Sequence, residues 1–269
     1  MKIHPTAVIH PKAVLADDVE VGAYSVVGEH VRIGAGTRVL SHVCIDGWTE
    51  IGERCELHPF VSVGGPPQHM QYKGEPTKVV IGHDNILREY VTVNRATMQG
   101  GGVTTVGHSN FLMAYVHVAH DCHLGNHLIL ANAASLAGHI TIGDHAIIGG
   151  LSGIHQFVRI GAYSMVGGCC ALGQDLPPYM RAAGGYRARM YGLNSIGLRR
   201  HGFSSDRIAA LKQAYELLFR SGHRVAEAVK LARDTFGASQ DVMQVAEFMQ
   251  GTKRGICRSV GKDHEGEEE

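Results

Sequence analysis

Residues 19–39 read VEVGAYSVVGEHVRIGAGTRV, and within them Val21, Val27, Ile33 and Val39 recur at every sixth position. Outward from this stretch the same step takes in Ile3, Ile9 and Leu15 on one side and Ile45, Ile51, Leu57 and Val63 on the other. The register returns at Ile81, Leu87 and Val93. Displaced by one, it then runs through Val106, Leu112, Val118, Leu124, Leu130, Leu136, Ile142, Ile148, Ile154, Ile160, Val166 and Leu172. Every one of these positions is aliphatic. The residue two before is often small or β-branched (Val19, Val31, Thr37, Val43, Val61, Val116, Ala134, Ile140), and Gly often follows, as at Gly22, Gly34, Gly52, Gly149 and Gly167. Helices repeat apolar positions every 3.6 residues and strands every 2, so a period of six fits neither. It fits a solenoid of short parallel strands. Three hexapeptides close one triangular coil, and the inward aliphatics stack on the coil below at about 4.8 Å. Gly or a polar residue is expected to relax the backbone at each corner.

The rest of the composition agrees. Gly makes up 35 of 269 residues while Trp and Phe are sparse, which suits many tight turns around thin aliphatic layers. Lys+Arg and Asp+Glu both number 25, so net charge points to no class of partner, nucleic acid included. No apolar run approaches the ~20 residues of a membrane span. The repeat already occupies Met1–His10, which argues against a signal peptide. Cys44, Cys55, Cys122, Cys169, Cys170 and Cys257 form no CxxC pair or disulfide framework, so reduced thiols in a cytoplasmic protein are expected.

Two segments interrupt the repeat, 65–78 (GPPQHMQYKGEPTK) and 94–105 (NRATMQGGGVTT). Solenoid insertions map to loops on one face, often the binding face. The triple glycine lacks the Lys-Ser/Thr of a phosphate loop, so a plain extruded loop is expected there. The β-helix is assigned to 1–190 and a helical domain to 191–257, with an acidic, disordered tail at 258–269. Within 191–257 the spacing predicts one helix after a Ser205/Asp206 cap, closed by Gly222. A second is predicted over 225–236, stopped by Gly237, and a third over 241–249, stopped by Gly251. Residues 181–233 carry eleven Lys/Arg against Asp206, Glu216 and Glu227, a solvated surface or a dock for an acidic partner.

The chemistry-bearing stretch is YVHVAHDCH, residues 115–123. Val116 and Val118 point inward, so His117 points out, and His120 with Asp121 falls near the next corner, facing outward. An imidazole beside a carboxylate can take a proton from an alcohol near neutral pH.

These residues, with GEPT at 74–77, QGGG at 99–102, HVAHDCHLGN at 117–126, LAGH at 136–139, IHQF at 154–157, QDLPPY at 174–179 and GLNSIGLRRHGF at 192–203, give the chain its likeness. It resembles, over nearly its whole length, the bacterial UDP-N-acetylglucosamine O-acyltransferases that begin lipid A synthesis. The resemblance implies a single-stranded left-handed parallel β-helix of hexapeptide repeats followed by a small α-helical domain. It implies transfer of a 3-hydroxyacyl chain from acyl carrier protein to the 3-position of the sugar nucleotide, in a homotrimer with its sites between subunits. No metal, cofactor or covalent enzyme intermediate is implied. His120 matches the general base, Asp121 its partner, and Gly138 a backbone oxyanion donor. His117, His139, His155 and Gln156 match positions lining the cleft, and Gln68 a residue near the acyl group. Asn194 and Arg200 match nucleotide or phosphate contacts, and Gly168 the position that limits acyl length.

The chain departs from relatives that carry Asp at His69, Lys at Gln71, His at Asn94, an acid near Ile196 and Arg at His201. These positions surround the sugar, so the pattern leaves two acceptors open, UDP-N-acetylglucosamine and its 3-amino analogue. A rival reading, invited by His117, His120 and His123, is a zinc lyase in which histidines from adjacent subunits bind metal. Six-residue spacing, however, sets His117 and His123 on neighbouring faces of a coil.

Overall fold

The computed structural model describes residues 1–257, so the expected acidic tail lies outside the described residues. From Lys2 to Leu172 the chain winds through strands mostly two residues long, each pairing in parallel with the strand one coil further on. Ile3 pairs with Val21 and Val21 with Val39, which makes a coil of 18 residues. The strands sort into sheets of eleven, nine and eight, the first, second and third faces of a three-sided prism. The coil is a left-handed β-helix, the opposite hand from ordinary parallel crossovers.

Each hexad aliphatic from Val21 to Leu172 is at most 4% exposed, and burying each contributes roughly 1.5–3 kcal/mol. Ile3, in the first coil, is 44% exposed. The residues two before are buried as well, and the polar ones bond into the coil, although Asn110 leaves its Nδ2 without a partner. Thr37 donates to the Gly52 carbonyl at 2.8 Å and accepts from the Cys55 N–H at 3.0 Å.

The corners depart from expectation. Their left-handed positions are held largely by non-glycine residues, among them His42, Phe60, Tyr90, Tyr115, Asp121, His139 and Phe157. A left-handed backbone costs such residues roughly 1–2 kcal/mol. Two contacts offset that cost. Most corner N–H groups donate to the preceding coil, as His139 does to the His120 carbonyl at 3.1 Å, and rings stack between coils, as Tyr90 does on Tyr115 at 4.8 Å. Apart from Gly64, the glycines after the inward aliphatics serve a different purpose, because their φ is not positive. A Cβ on Gly52 would lie 2.6 Å from the Gly82 carbonyl, so glycine there permits close approach of backbones.

Both interruptions are extruded where expected, but neither is structureless at its ends. Strands Ser62–Gly65 and Lys78–Ile81 lengthen to four residues around the first, and Leu57 pairs with Leu87 across it. The second contains a 3₁₀ turn, Met98–Gly100.

After the coil, strands Met180–Ala183 and Arg189–Leu193 form an antiparallel pair that completes the first face, so regular strand extends past residue 190. The helices are α1 (Ser195–Arg200), α2 (Ser205–Tyr215), α3 (Val225–Phe236) and α4 (Gln240–Gln250). The short α1 was not anticipated. Ser204, rather than Ser205 or Asp206, caps α2 by accepting from the Arg207 N–H, and α2 runs on through a wider turn to Arg220 before Gly222. Arg207 grips Asp241 of α4 through two hydrogen bonds of 2.8 Å, and Tyr179 at the coil end donates to the same carboxylate at 3.2 Å. All six cysteines are free.

Candidate active site

His120 and Asp121 turn the corner from the second face to the third, between strands His117–Val118 and His123–Leu124. They face out of the coil as expected, yet they are buried, with Asp121 only 1% exposed. The two extruded loops account for this. His69, from the first, packs its ring edge-on to His120 at 5.3 Å between centroids. The second closes over Asp121: the Thr97 N–H donates to Oδ1 at 2.9 Å and the Thr97 hydroxyl to Oδ2 at 2.7 Å. The segment expected to be a plain loop is therefore part of the site.

Nδ1 of His120 lies 2.7 Å from Oδ2 of Asp121. A carboxylate that takes its neighbours' protons at both oxygens is an acceptor only, so Nδ1 carries the hydrogen and Nε2 is left with its lone pair. Gly138 lies directly against this ring; a Cβ there would stand 2.6 Å from Cε1 and 2.9 Å from Nε2. His139 meets His120 edge-on at 5.2 Å, with its own Nε2 3.6 Å from Asp121. Burial pushes His139 below the ordinary histidine range, against the pull of Asp121 and with His120, His69 and His123 adding to the fall, so it stays neutral at pH 7. His120, Asp121 and His139 offer ligand atoms within 4.8 Å of one another, but Thr97 and His120 already occupy both carboxylate oxygens. His117 and His123 stand on the second and third faces, bonded to Thr92 and Thr105, so within one chain they do not converge with His120 on one point.

The likeness of the chain extends beyond this constellation. Residues 1–35 match the bacterial transferase hexapeptide family (six repeats), and residues 175–257 match UDP-N-acetylglucosamine O-acyltransferase, domain 2. Two proteins named acyl-[acyl-carrier-protein]–UDP-N-acetylglucosamine O-acyltransferase align over 96% of the chain. The one from Thermodesulfovibrio yellowstonii is 52% identical over 99% of its length, and the one from Syntrophobacter fumaroxidans 48% over 100%. The solved UDP-N-acetylglucosamine O-acyltransferase of Moraxella catarrhalis superposes with a TM-score of 0.93 at 43% identity, covering 96% of this chain and 100% of that one. The chain belongs to the UDP-N-acetylglucosamine O-acyltransferase family.

In this acyltransferase the remaining expected residues fall into separate places. His117 stands outward on the second face, half-buried, its Nδ1 2.7 Å from the Thr92 hydroxyl. Burial, then His120, lowers its affinity for protons. Beyond it a groove of about 900 Å³ runs over Ser135, Gly153 and Ala171, with His155 in its lining and Tyr186–Arg189 as one wall. Small outward side chains in successive coils make the trough. Gln68, His155 and Gln156 are exposed.

Asn194 and Arg200 belong to α1, which abuts a different corner, the one from third face to first. There Asn194 donates to the Tyr163 carbonyl at 3.0 Å and accepts from the Gly197 N–H at 3.2 Å as the cap of α1. Arg200 is exposed in its last turn. Beside them His201 packs on His145 and Tyr163. Gly168 sits at the third corner, from first face to second, in a hollow of about 360 Å³ that does not include His117. The left-handed residue there is Cys169, not Gly167.

Two residues of the site were missed from sequence. Thr97 and Arg95 both lie in the interruption, where hexapeptide spacing gives no guidance. The buried Arg95 guanidinium stacks near Trp48 and Tyr72, donating to the Gly64 carbonyl at 2.9 Å and the Tyr72 hydroxyl at 3.0 Å. It thereby fastens the loop that carries His69.

Proposed function

We propose that the protein transfers a 3-hydroxyacyl chain from acyl carrier protein to the 3-hydroxyl of UDP-N-acetylglucosamine, the first step of lipid A synthesis, with His120 as general base. The observation that carries this reading is the buried His120–Asp121 pair, tautomer fixed and Nε2 open, in a chain related over 96% of its length to an enzyme of that name.

Nε2 takes the hydroxyl proton as the sugar oxygen attacks the thioester carbonyl, and the carboxylate stabilises the imidazolium that forms. The backbone N–H of Gly138, whose Cα lies against the ring, is suited to the oxyanion. When the C–S bond breaks, the thiolate leaves and recovers the proton from His120. His139, neutral, is free to donate to or accept from the sugar without competing for Asp121. The apolar floor of the groove beside His117 suits an acyl chain. A 3-amino acceptor gains no support, since the relatives' names specify O-acyl transfer.

The arrangement of corners favours the homotrimer. His120, the α1 residues Asn194 and Arg200, and Gly168 stand at three different corners of one prism. A single substrate touching all of them needs surfaces from more than one subunit, and Gly168 can bear on acyl length only if a neighbour's acyl chain passes its corner. Among the described residues no helix is long and apolar enough to cross a membrane, which accords with action in the cytoplasm on a carrier-bound substrate. The test is mass spectrometry of products formed from a series of 3-hydroxyacyl carrier proteins with UDP-N-acetylglucosamine and with its 3-amino analogue. The reading predicts an ester on the former; product from the analogue alone would contradict it.

A further inference from the structure

We infer that Thr97 is a positioning residue for proton transfer, holding the Asp121 carboxylate in the one orientation that presents Oδ2 to Nδ1 of His120; the inference rests on His120 being the base. His120 and Asp121 are adjacent in sequence, so their hydrogen bond depends on how the carboxylate is turned about its last torsion. That torsion is broad and has no strong preference of its own.

Thr97 supplies a donor to each oxygen, its backbone N–H to Oδ1 at 2.9 Å and its hydroxyl to Oδ2 at 2.7 Å. Two donors fixed to one residue set the plane of the carboxylate. The hydroxyl has one proton, and its direction is determined because the oxygen also accepts from the Gly100 N–H at 3.2 Å. The 3₁₀ turn that creates this arrangement closes against the carboxylate so tightly that a Cβ on Gly100 would overlap Asp121. On the other side the Thr104 hydroxyl accepts from the Asp121 N–H at 2.9 Å, so backbone and carboxylate are held separately. Oδ2 then has one remaining direction, and His120 occupies it. Asp121 being acceptor-only, this also fixes the imidazole as the Nδ1–H tautomer, which leaves Nε2 able to take a proton.

Thr97→Val keeps the shape of the side chain and removes the hydroxyl proton. The expected result is a folded protein with kcat lowered on the order of 10- to 100-fold, KM for the sugar nucleotide unchanged, and most of the rate restored in Thr97→Ser. Imidazole ¹⁵N spectra, with the His120 signal assigned by its loss in His120→Ala, should show the Nδ1–H form in wild type and Thr97→Ser and a tautomer mixture in Thr97→Val. A merely structural threonine would lower the melting temperature without moving the tautomer. Wild-type kcat and tautomer in Thr97→Val, or a serine variant as impaired as the valine one, would overturn the inference. Should the valine variant not fold, Thr97→Ala carries the same two readouts. An active wild type with an inactive His120→Ala and an unaffected Thr97→Val removes the role of Thr97 alone. A His120→Ala enzyme that still turns over removes the base assignment and this inference with it.

Discussion

Gly138 lies against the imidazole of His120 so closely that a Cβ at residue 138 would reach 2.6 Å from Cε1. The backbone of one coil is thus the floor on which the base of the preceding coil rests. Gly138→Ala must push the ring away from Asp121 or shift the coil. We expect kcat to fall on the order of 10²-fold, the cost of a displacement of about 1 Å at a reacting group, with the fold retained by circular dichroism. A variant of wild-type kcat would mean that the ring has room to spare.

Acid should destabilise the coil through its half-buried histidines. Burial is the main cause lowering the proton affinity of His117, His139 and His145. The unfolded chain therefore binds protons at these sites first. The stability they contribute is complete above the ordinary histidine value of about 6.5 and is lost as pH falls below it through their folded values. The paired carboxylates Glu20, Glu29, Asp84 and Glu89 have folded values depressed below the ordinary carboxylate range, and their contribution is lost only at lower pH. The melting temperature should be lower at about pH 5.5 than at about pH 7.5, on either side of the ordinary histidine value, and this difference should shrink in His145→Gln. An unchanged difference in the variant would show that His145 does not titrate on unfolding.

The triangular coil was legible because its rule is strict. A residue of the right type every sixth position leaves one architecture, and each aliphatic from Val21 onward is buried as its spacing requires. Corner chemistry was misread, since the left-handed residues owe their stability to coil-to-coil bonds and ring stacks that a sequence does not display. His120 and Asp121 could be singled out as a pair, but not their burial, which comes from residues 69 and 97 in loops outside the periodicity. Thr97 and Arg95 act through contacts more than twenty residues away in sequence, to Asp121 and to Tyr72. Capping at Ser204 instead of Ser205 is a one-residue difference of the kind that helix ends commonly show.

The basic stretch should serve the carrier protein. Arg199 and Arg200 end α1 with exposed cations, and carrier proteins of this class are acidic by the family resemblance. Charge reversal at Arg199 should raise KM for the acylated carrier and flatten its dependence on salt, because exposed charges act mainly on encounter. Arg200→Glu should in addition raise KM for the nucleotide. Steady-state kinetics at two ionic strengths decide this, and a pair of variants indifferent to both substrates would leave the stretch a solvated surface.

Acyl length should respond to Gly168. A Cβ there would meet the Gly150 carbonyl at 3.4 Å, an ordinary contact, and its φ is not positive, so backbone geometry does not demand glycine. Each methylene that a long chain buries favours it by roughly 0.8 kcal/mol, and a bulky residue would replace that gain with a clash. Gly168→Met should shift preference from chains of about 14 carbons, the length the resemblance implies for an open position, towards shorter ones. Equal losses on all lengths in a competition series would assign the residue to structure alone.

His120 should remove the sugar proton without a metal. The direct measurement is turnover of acyl carrier protein with UDP-N-acetylglucosamine, followed by mass spectrometry of the ester, for wild type and His120→Ala with and without a chelator. The variant should fold normally and lose on the order of 10²- to 10⁴-fold in rate, and the chelator should leave wild-type turnover unchanged. Near-wild-type turnover in His120→Ala, or wild-type activity lost to the chelator and restored by zinc, would contradict it.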